Sequence, residues 1–315
     1  MISQFKKDVE LGLSDTPKTL PSKYFYDKRG DELFVQIMNM PEYYLTRAEL
    51  EIFKEQSQEI IQALALDPNQ YFELIELGAG DGTKTKELLK VLDKNGYNFD
   101  YIPIDISQNA LDQLEEKLNK ELPNVSVKKK QGDYFEMLAT LHETKHPKVV
   151  LFLGSNIGNM TDELATDFIY KLGANLRPND KLFLGVDLIK SAEIVLPAYN
   201  DAAGITKAFN LNLLTRINKE LDGNFKIDTF SHLAQYSEDD GIALSYLVST
   251  VEQKVTLNAS EKIFHFAKGE KIQTEISRKY NDEIINNILQ DTDFQIKNKL
   301  TDSKDYFANY ILKRV

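Results

Sequence analysis

Three glycines, two aspartates and an aromatic residue stand in this chain at the spacing a nucleoside-binding crevice needs. The run Glu76-Leu77-Gly78-Ala79-Gly80-Asp81-Gly82-Thr83 links an apolar stretch to a helical pattern. Glycine at 78, 80 and 82 lets the backbone turn tightly and approach a ligand with no Cβ in the way. Asp105 closes the next apolar stretch. A carboxylate there can accept hydrogen bonds from both ribose hydroxyls of an adenosine ligand. Asp133-Tyr134 follows the third stretch. An acidic residue followed by an aromatic ring can hold an adenine amino group and cover the base.

Such residues need strands that end together. Short apolar runs at Tyr71–Leu77, Tyr101–Asp105, Val125–Lys129, Lys148–Gly154 and Lys181–Asp187 predict buried strands. Helical patterns lie between them. Leu111, Leu114, Leu118 and Leu122 make one helical face. Ser107 is placed to cap that helix and Pro123 to end it. Alternating strands and helices predict a doubly wound parallel sheet. Before it, Pro41 forbids a long helix through Tyr43, and a helix is expected from Thr46 to about Ala65. After Asp187 the rhythm stops. A helical stretch, Ser191–Glu220, precedes strand-like runs at Ala243–Val251 and Lys254–Leu257. A helix at Asn281–Gln290 follows. A hairpin is then expected, Phe294–Leu300 and Tyr306–Val315 joined by Thr301–Lys304, adding an antiparallel edge.

Composition bounds the function. At 315 residues the chain suits two compact domains or one large one. No repeat or Gly/Ser linker is seen, so two domains would be closely joined. With 42% hydrophobic and 28% charged residues the chain can fill a core. A formal charge of −11 argues against nucleic acid or an anionic membrane as partner. The run Lys128-Lys129-Lys130 reads as a solvated strand end. With no cysteine, disulfides, thiolate catalysis and Cys-ligated metal are excluded. The four histidines, His142, His146, His232 and His265, lack metal-ligand spacing and read as structural or surface groups, so no metal is expected. Neither a signal peptide nor a run of roughly 18 apolar residues is read, so the expectation is a cytoplasmic protein.

The ligand type can be narrowed. A pyrophosphate fingerprint wants glycine where Thr83 stands, and Glu76 would repel pyrophosphate. Both disfavour a nicotinamide oxidoreductase. Glu76 suits instead the methionine ammonium of S-adenosylmethionine (SAM). Glu-x-Gly-x-Gly-x-Gly after the first strand resembles the class I methyltransferase motif.

Seven further segments extend the resemblance. They are Leu20–Asp27, Met40–Glu49, Phe152–Asn159, Leu184–Leu188, Ala198–Gly204, Phe209-Asn210 and Thr274–Ser277. In order and content the chain resembles the L-histidine Nα-methyltransferases of ergothioneine biosynthesis. The resemblance implies an α/β fold, a class I Rossmann-like doubly wound sheet with a second α+β substrate-binding domain. The methyltransferase domain would be 54–187 plus 280–315, and the substrate domain 1–53 plus 188–279. It implies SAM contacts at Gly78, Lys84, Asp105, Asp133 and Tyr134, where many relatives have Phe for Tyr134. The residue reading adds Glu76 and Gly80. For L-histidine it implies Tyr43, Asn159 and Tyr199, the last on the carboxylate, and Glu275 and Ser277 on the imidazole. Tyr26 and Phe34 match aromatic positions near the amine and would shield a growing methylammonium. A monomer without metal, nucleic acid or membrane partner is implied.

The residue types support these roles. Glu275 and Ser277 are two apart, so on a strand they face one side. A carboxylate can accept an imidazole N–H, and a hydroxyl can donate or accept. Leu244 stands, by the resemblance, where histidine enzymes often have Met. Competing readings are an N-methyltransferase of another amino acid, such as tryptophan or a derivative, and a non-catalytic SAM-binding regulator.

Overall fold

A computed structural model describes residues 2–142 and 144–315, with the side chains of Ile2, Tyr134 and Ser260 outside the description. In chain order the elements are α1 (Ile2–Ser14), β1 (Lys18–Thr19), α2 (Lys28–Met38), α3 (Tyr44–Glu55), α4 (Ser57–Leu64), β2 (Phe72–Leu77), α5 (Thr85–Lys94), β3 (Phe99–Asp105) and α6 (Gln108–Glu121). Next come β4 (Ser126–Val127), β5 (Lys130–Gln131), α7 (Tyr134–Met137), β6 (Lys148–Phe152), α8 (Asp162–Ala174), β7 (Lys181–Asp187), α9 (Ala192–Tyr199) and α10 (Ile205–Leu221). The last are β8 (Phe230–Ser237), β9 (Ile242–Ser249), β10 (Gln253–Leu257), β11 (Lys262–Phe266), β12 (Lys271–Arg278), α11 (Asp282–Leu289), β13 (Phe294–Thr301) and β14 (Phe307–Arg314). Among the described residues, no helix is long and apolar enough to cross a membrane.

The chain divides into two compact units. One holds the described residues up to Tyr44 with Lys190–Arg278; the other is Leu45–Ile189 with Lys279–Val315. These breaks fall at 44/45, 189/190 and 278/279, against the expected 53/54, 187/188 and 279/280. The widest difference is at the first, because most of α3 joins the second unit. Glu49, wholly buried, bonds there to Lys84, Gly154 and Asn309.

The larger unit is built on a sheet ordered β13-β14-β7-β6-β2-β3-β4, with β5 also on β3. The strands from β2 to β7 pair in parallel, and β14 and β13 add antiparallel. The doubly wound sheet and its antiparallel hairpin edge are those the sequence predicted. β2 is buried at all six positions, as strands covered on both faces must be. Leu77, Ile104, Phe152 and Leu184 pack on one face with Phe168 and Ile169 of α8 and Ile285 and Ile288 of α11. Leu74, Tyr101, Leu151 and Phe183 pack on the other with α3, α4, α5 and α6.

Three local expectations change. The helix expected from Thr46 to Ala65 is two helices, interrupted at Gln56. Gln56 turns its side-chain amide to the Thr301 carbonyl. The third strand is two fragments, β4 and β5. Between them Lys128 reaches Asp100, and Lys129 reaches Asp112 and Glu115. The stretch 191–220 is also two helices, broken before Gly204, where Asp201 accepts from the Ile205 and Thr206 amides and starts α10.

The smaller unit has a sheet ordered β1-β12-β9-β8 and a separate β10-β11 pair. Phe230, Leu247 and Ile272 pack with α1, α2 and α10 in one apolar core that includes Phe5, Leu33, Leu213 and Ile217.

Candidate functional site

In the larger unit the candidate ligand turn leaves β2 and enters α5. Its three glycines hold φ of +74°, +54° and +62° at 78, 80 and 82, where an L side chain is strained. At Gly82 the reason is packing, since a Cβ would stand 2.2 Å from Leu114 Cδ1. At Gly80 a Cβ would meet nothing within 4 Å. The turn is thus open at Gly80 and closed by packing at Gly82.

Asp105 lies beside that opening. One carboxylate oxygen accepts from the Gly80 amide at 3.0 Å, the other from the Ser107 amide at 2.9 Å. Burial raises its pKa against those bonds. Ser107 also caps α6, accepting from the Ala110 amide, as predicted. Asp133 accepts from the Phe135 amide at 2.9 Å and starts α7. The backbone of Tyr134 begins that helix, and its side chain lies outside the described residues.

Glu76 was expected to serve an ammonium. The structure turns its oxygens inward, one to the Thr85 hydroxyl at 2.8 Å and one to the Tyr101 hydroxyl. It is 2% exposed. Burial pushes its pKa up to about 7, the two hydroxyls and Lys84 opposing. The residue ties β2, β3 and the start of α5 together beneath the turn.

Lys84 pairs with Glu49 of α3. The same Glu49 accepts from the Gly154 amide at 2.9 Å and the Asn309 side-chain amide at 3.0 Å. It thus joins the glycine turn to the loop after β6. Gly185 is explained by it, since a Cβ there would lie 2.2 Å from Glu49 Oε1. Glu49 falls within the resembling segment Met40–Glu49, which by itself assigns it no role. A wholly buried carboxylate has no signature in sequence without the partners that surround it. Asn159 is exposed at the end of a 3-10 turn, Asn156–Asn159, in this unit. Thr161, not Asn159, caps α8.

The smaller unit gathers two clusters. Tyr26, Phe34 and Tyr43 are joined by edge contacts, with ring centroids 5.5 Å and 6.3 Å apart. Phe209 of α10 completes the cluster, 5.8 Å from Tyr26 and 5.9 Å from Phe34. The second cluster is polar. Glu275 and Ser277 of β12 pair in register with Ser245 and Ala243 of β9. The Ser245 hydroxyl donates to Glu275 at 2.9 Å, and the Tyr199 and Ser277 hydroxyls share a 2.8 Å bond. Tyr199, Glu275 and Ser277 therefore form one hydrogen-bonding face. Leu244 is not on it. It pairs with Ile276, on the other face, and Ser245 stands beside Glu275.

His232 lies on β8 opposite Leu247. Burial pushes its pKa down to about 4, so it is neutral near pH 7. His146 packs its ring edge-on against Tyr71. Among the described residues, no group of three or more His, Cys, Asp or Glu is arranged to hold a metal.

A family model described as histidine-specific methyltransferase, SAM-dependent, matches residues 5–314. The histidine N-alpha-methyltransferase of Mycolicibacterium smegmatis is 37% identical over 278 residues, 88% of this chain and 85% of that one. The protein of that name in Mycobacterium tuberculosis is 36% identical over 280 residues, 89% of this chain and 85% of that one. Ergothioneine biosynthesis protein 1 of Schizosaccharomyces pombe is 30% identical over 304 residues, 94% of this chain and 39% of that longer protein.

Proposed function

The chain belongs to the SAM-dependent, histidine-specific methyltransferase family, and from that premise we propose that it methylates the α-amine of L-histidine three times. The product is the trimethyl betaine hercynine, with which ergothioneine biosynthesis begins. The observation that carries the ring assignment is the polar face of β12, where Glu275 and Ser277 point the same way, braced by Ser245 and Tyr199.

Imidazole presents one N–H and one bare nitrogen. Glu275 accepts the first, and the Ser277 hydroxyl donates to the second. A phenyl ring would offer Glu275 and Ser277 no ring nitrogen to bond, at a cost of about 1–3 kcal/mol each. Tyr199 and Tyr43 bind the amino-acid end. Tyr26 and Phe34, with Phe209, give aromatic faces that favour the cationic methylated amine. In the larger unit Gly78 and Gly80 admit the cofactor and Asp105 holds its ribose. Asp133 and Tyr134 hold the adenine, and Lys84 holds the methionine carboxylate. Glu76 supports the turn from beneath.

SAM supplies an activated methyl group on a sulfonium leaving group. The protein's task is then alignment. The substrate amine must be neutral to react, and a free α-amine titrates near 8. A modest loss of protons at neutral pH is enough, so a dedicated strong base is not required. We assign the protein to the cytoplasm, as a monomer acting on a small molecule.

Mass spectrometry tests this directly. The protein is mixed with SAM and an equimolar pool of the standard amino acids. Histidine gaining up to three methyls, with no other amino acid changed, is the expected result. Methylation of a different amino acid would overturn the roles given to Glu275 and Ser277. SAM binding without product would point to a modified substrate or to a regulatory protein.

A further inference from the structure

A single extra residue decides which way Glu275 points. Along β12, Ile272 pairs with Leu247 and Gln273 with Tyr246, and then Glu275 pairs with Ser245 and Ser277 with Ala243. Thr274 is therefore a β-bulge. Side chains alternate along a strand, so a regular β12 would put Glu275 on the face opposite Ile272. One inserted residue reverses that parity. Glu275 and Ser277 come instead onto the face that carries Ile272 and Leu247, both 0% exposed in the apolar core.

Thr274 is held by a buried hydrogen-bonded set. It is 1% exposed, and Asn210 and Ser245 are both 0% exposed. The Thr274 hydroxyl lies 2.6 Å from Asn210 Oδ1 and 3.1 Å from the Ser245 carbonyl, and its proton is shared between them. Asn210 donates its own amide to the Thr206 carbonyl one turn back in α10, at 3.1 Å. That bond fixes which end of the amide meets Thr274. Ser245 in turn gives its hydroxyl to Glu275. The bulge residue and Glu275 therefore hang on the same residue of β9.

We infer that Thr274 and Asn210 are positioning residues for ring recognition, the Asn210–Thr274–Ser245 set fixing the bulge that brings Glu275 and Ser277 to the substrate side. A buried acceptor left without its donor is costly, so Asn210 Oδ1 requires a hydroxyl at 274. The inference rests on the proposed contact of Glu275 with the histidine ring.

The test is a double-mutant cycle with Thr274→Val and Glu275→Ala, reading kcat and KM for L-histidine and the Kd for SAM. Thr274→Val keeps the branched shape and removes the donor. It should raise the histidine KM by about tenfold or more and leave SAM affinity within about twofold. Thr274→Ser should restore most of the KM. Because Thr274 acts through Glu275, adding Thr274→Val to Glu275→Ala should raise KM little further. Additive effects, or an unchanged KM in Thr274→Val while Glu275→Ala raises it, would overturn the inference. An unchanged KM in Glu275→Ala would instead sink the ring assignment, and the inference with it. If Thr274→Val does not bind SAM, Asn210→Ser takes its place in the cycle, since it leaves Thr274 its bond to the Ser245 carbonyl.

Discussion

Glu49 and Lys84 show how one buried charge can organise a binding loop. Glu49 takes three donors: the Lys84 ammonium, the Gly154 amide and the Asn309 side chain. Lys84 keeps 20% of its side chain exposed while Glu49 keeps none. The carboxylate is thus the anchor, and the lysine keeps part of its side chain open to solvent. Glu49→Ala strips a partner from all three donors, and roughly 3 kcal/mol or more of stability should be lost. Glu49→Gln keeps an acceptor and should lose less. Urea titration of the two variants separates these outcomes, and equal losses would contradict the account. At the other candidate site, Glu275→Ala should weaken histidine binding and relax ring specificity. Its histidine affinity, measured by calorimetry with SAM bound, should fall about tenfold or more.

At the scale of elements, the glycine turn separates packing from binding. Gly82→Ala would force a Cβ to 2.2 Å from Leu114 in a left-handed backbone. Overpacking and conformational strain together should cost about 2–4 kcal/mol. Gly80→Ala meets open space in the same kind of conformation. It should cost only about 1–2 kcal/mol and act mainly on SAM affinity. Thermal melts with and without SAM distinguish the two, and a Gly80→Ala protein that binds SAM normally would refute the cofactor's approach there. The elements themselves were legible where one periodicity held. β2, β7, α6 and the β13–β14 hairpin follow the apolar pattern closely. The breaks at Gln56 and between β4 and β5 were not legible. Gln56 bonds to Thr301 and Lys128 to Asp100, partners distant in sequence.

At the scale of the whole molecule, buried charge makes stability depend on pH and on the joint between segments. The Glu76 carboxyl titrates near 7 in the folded protein and near 4.5 in an unfolded chain. The folded state therefore holds a proton that the unfolded state has lost. Stability should fall as pH rises through that window, by up to about 1.4 kcal/mol per pH unit. Glu76→Gln should flatten the slope in thermal melts, and an unchanged slope would refute the assignment. Lys279 and Asp187 form a fully buried pair at 2.8 Å, where Tyr280 donates its amide to the Asp187 carbonyl. This holds the returning chain against the end of β7. Lys279→Met leaves Asp187 buried without its cation and should cost about 3–5 kcal/mol. Chemical denaturation measures it, and a loss near zero would show that Asp187 finds other partners.

The sequence by itself determined β2, β3, β6 and β7 of the larger unit, their helical crossovers, the antiparallel hairpin and the glycine turn. Those features rest on local spacing, which a chain carries without its partners. The segments from Leu20 to Ser277 also carried the family. Tertiary structure alone decided the rest. It gave Glu49 its three donors, turned Glu76 onto Thr85 and Tyr101, and set Ser245 beside Glu275. The bulge at Thr274 is the sharpest case. Residues two apart share a face in any strand, but which face depends on pairing register. That register depends on Asn210 and Ser245, which lie far away in sequence and adjoin β12 only once the sheet and α10 have packed.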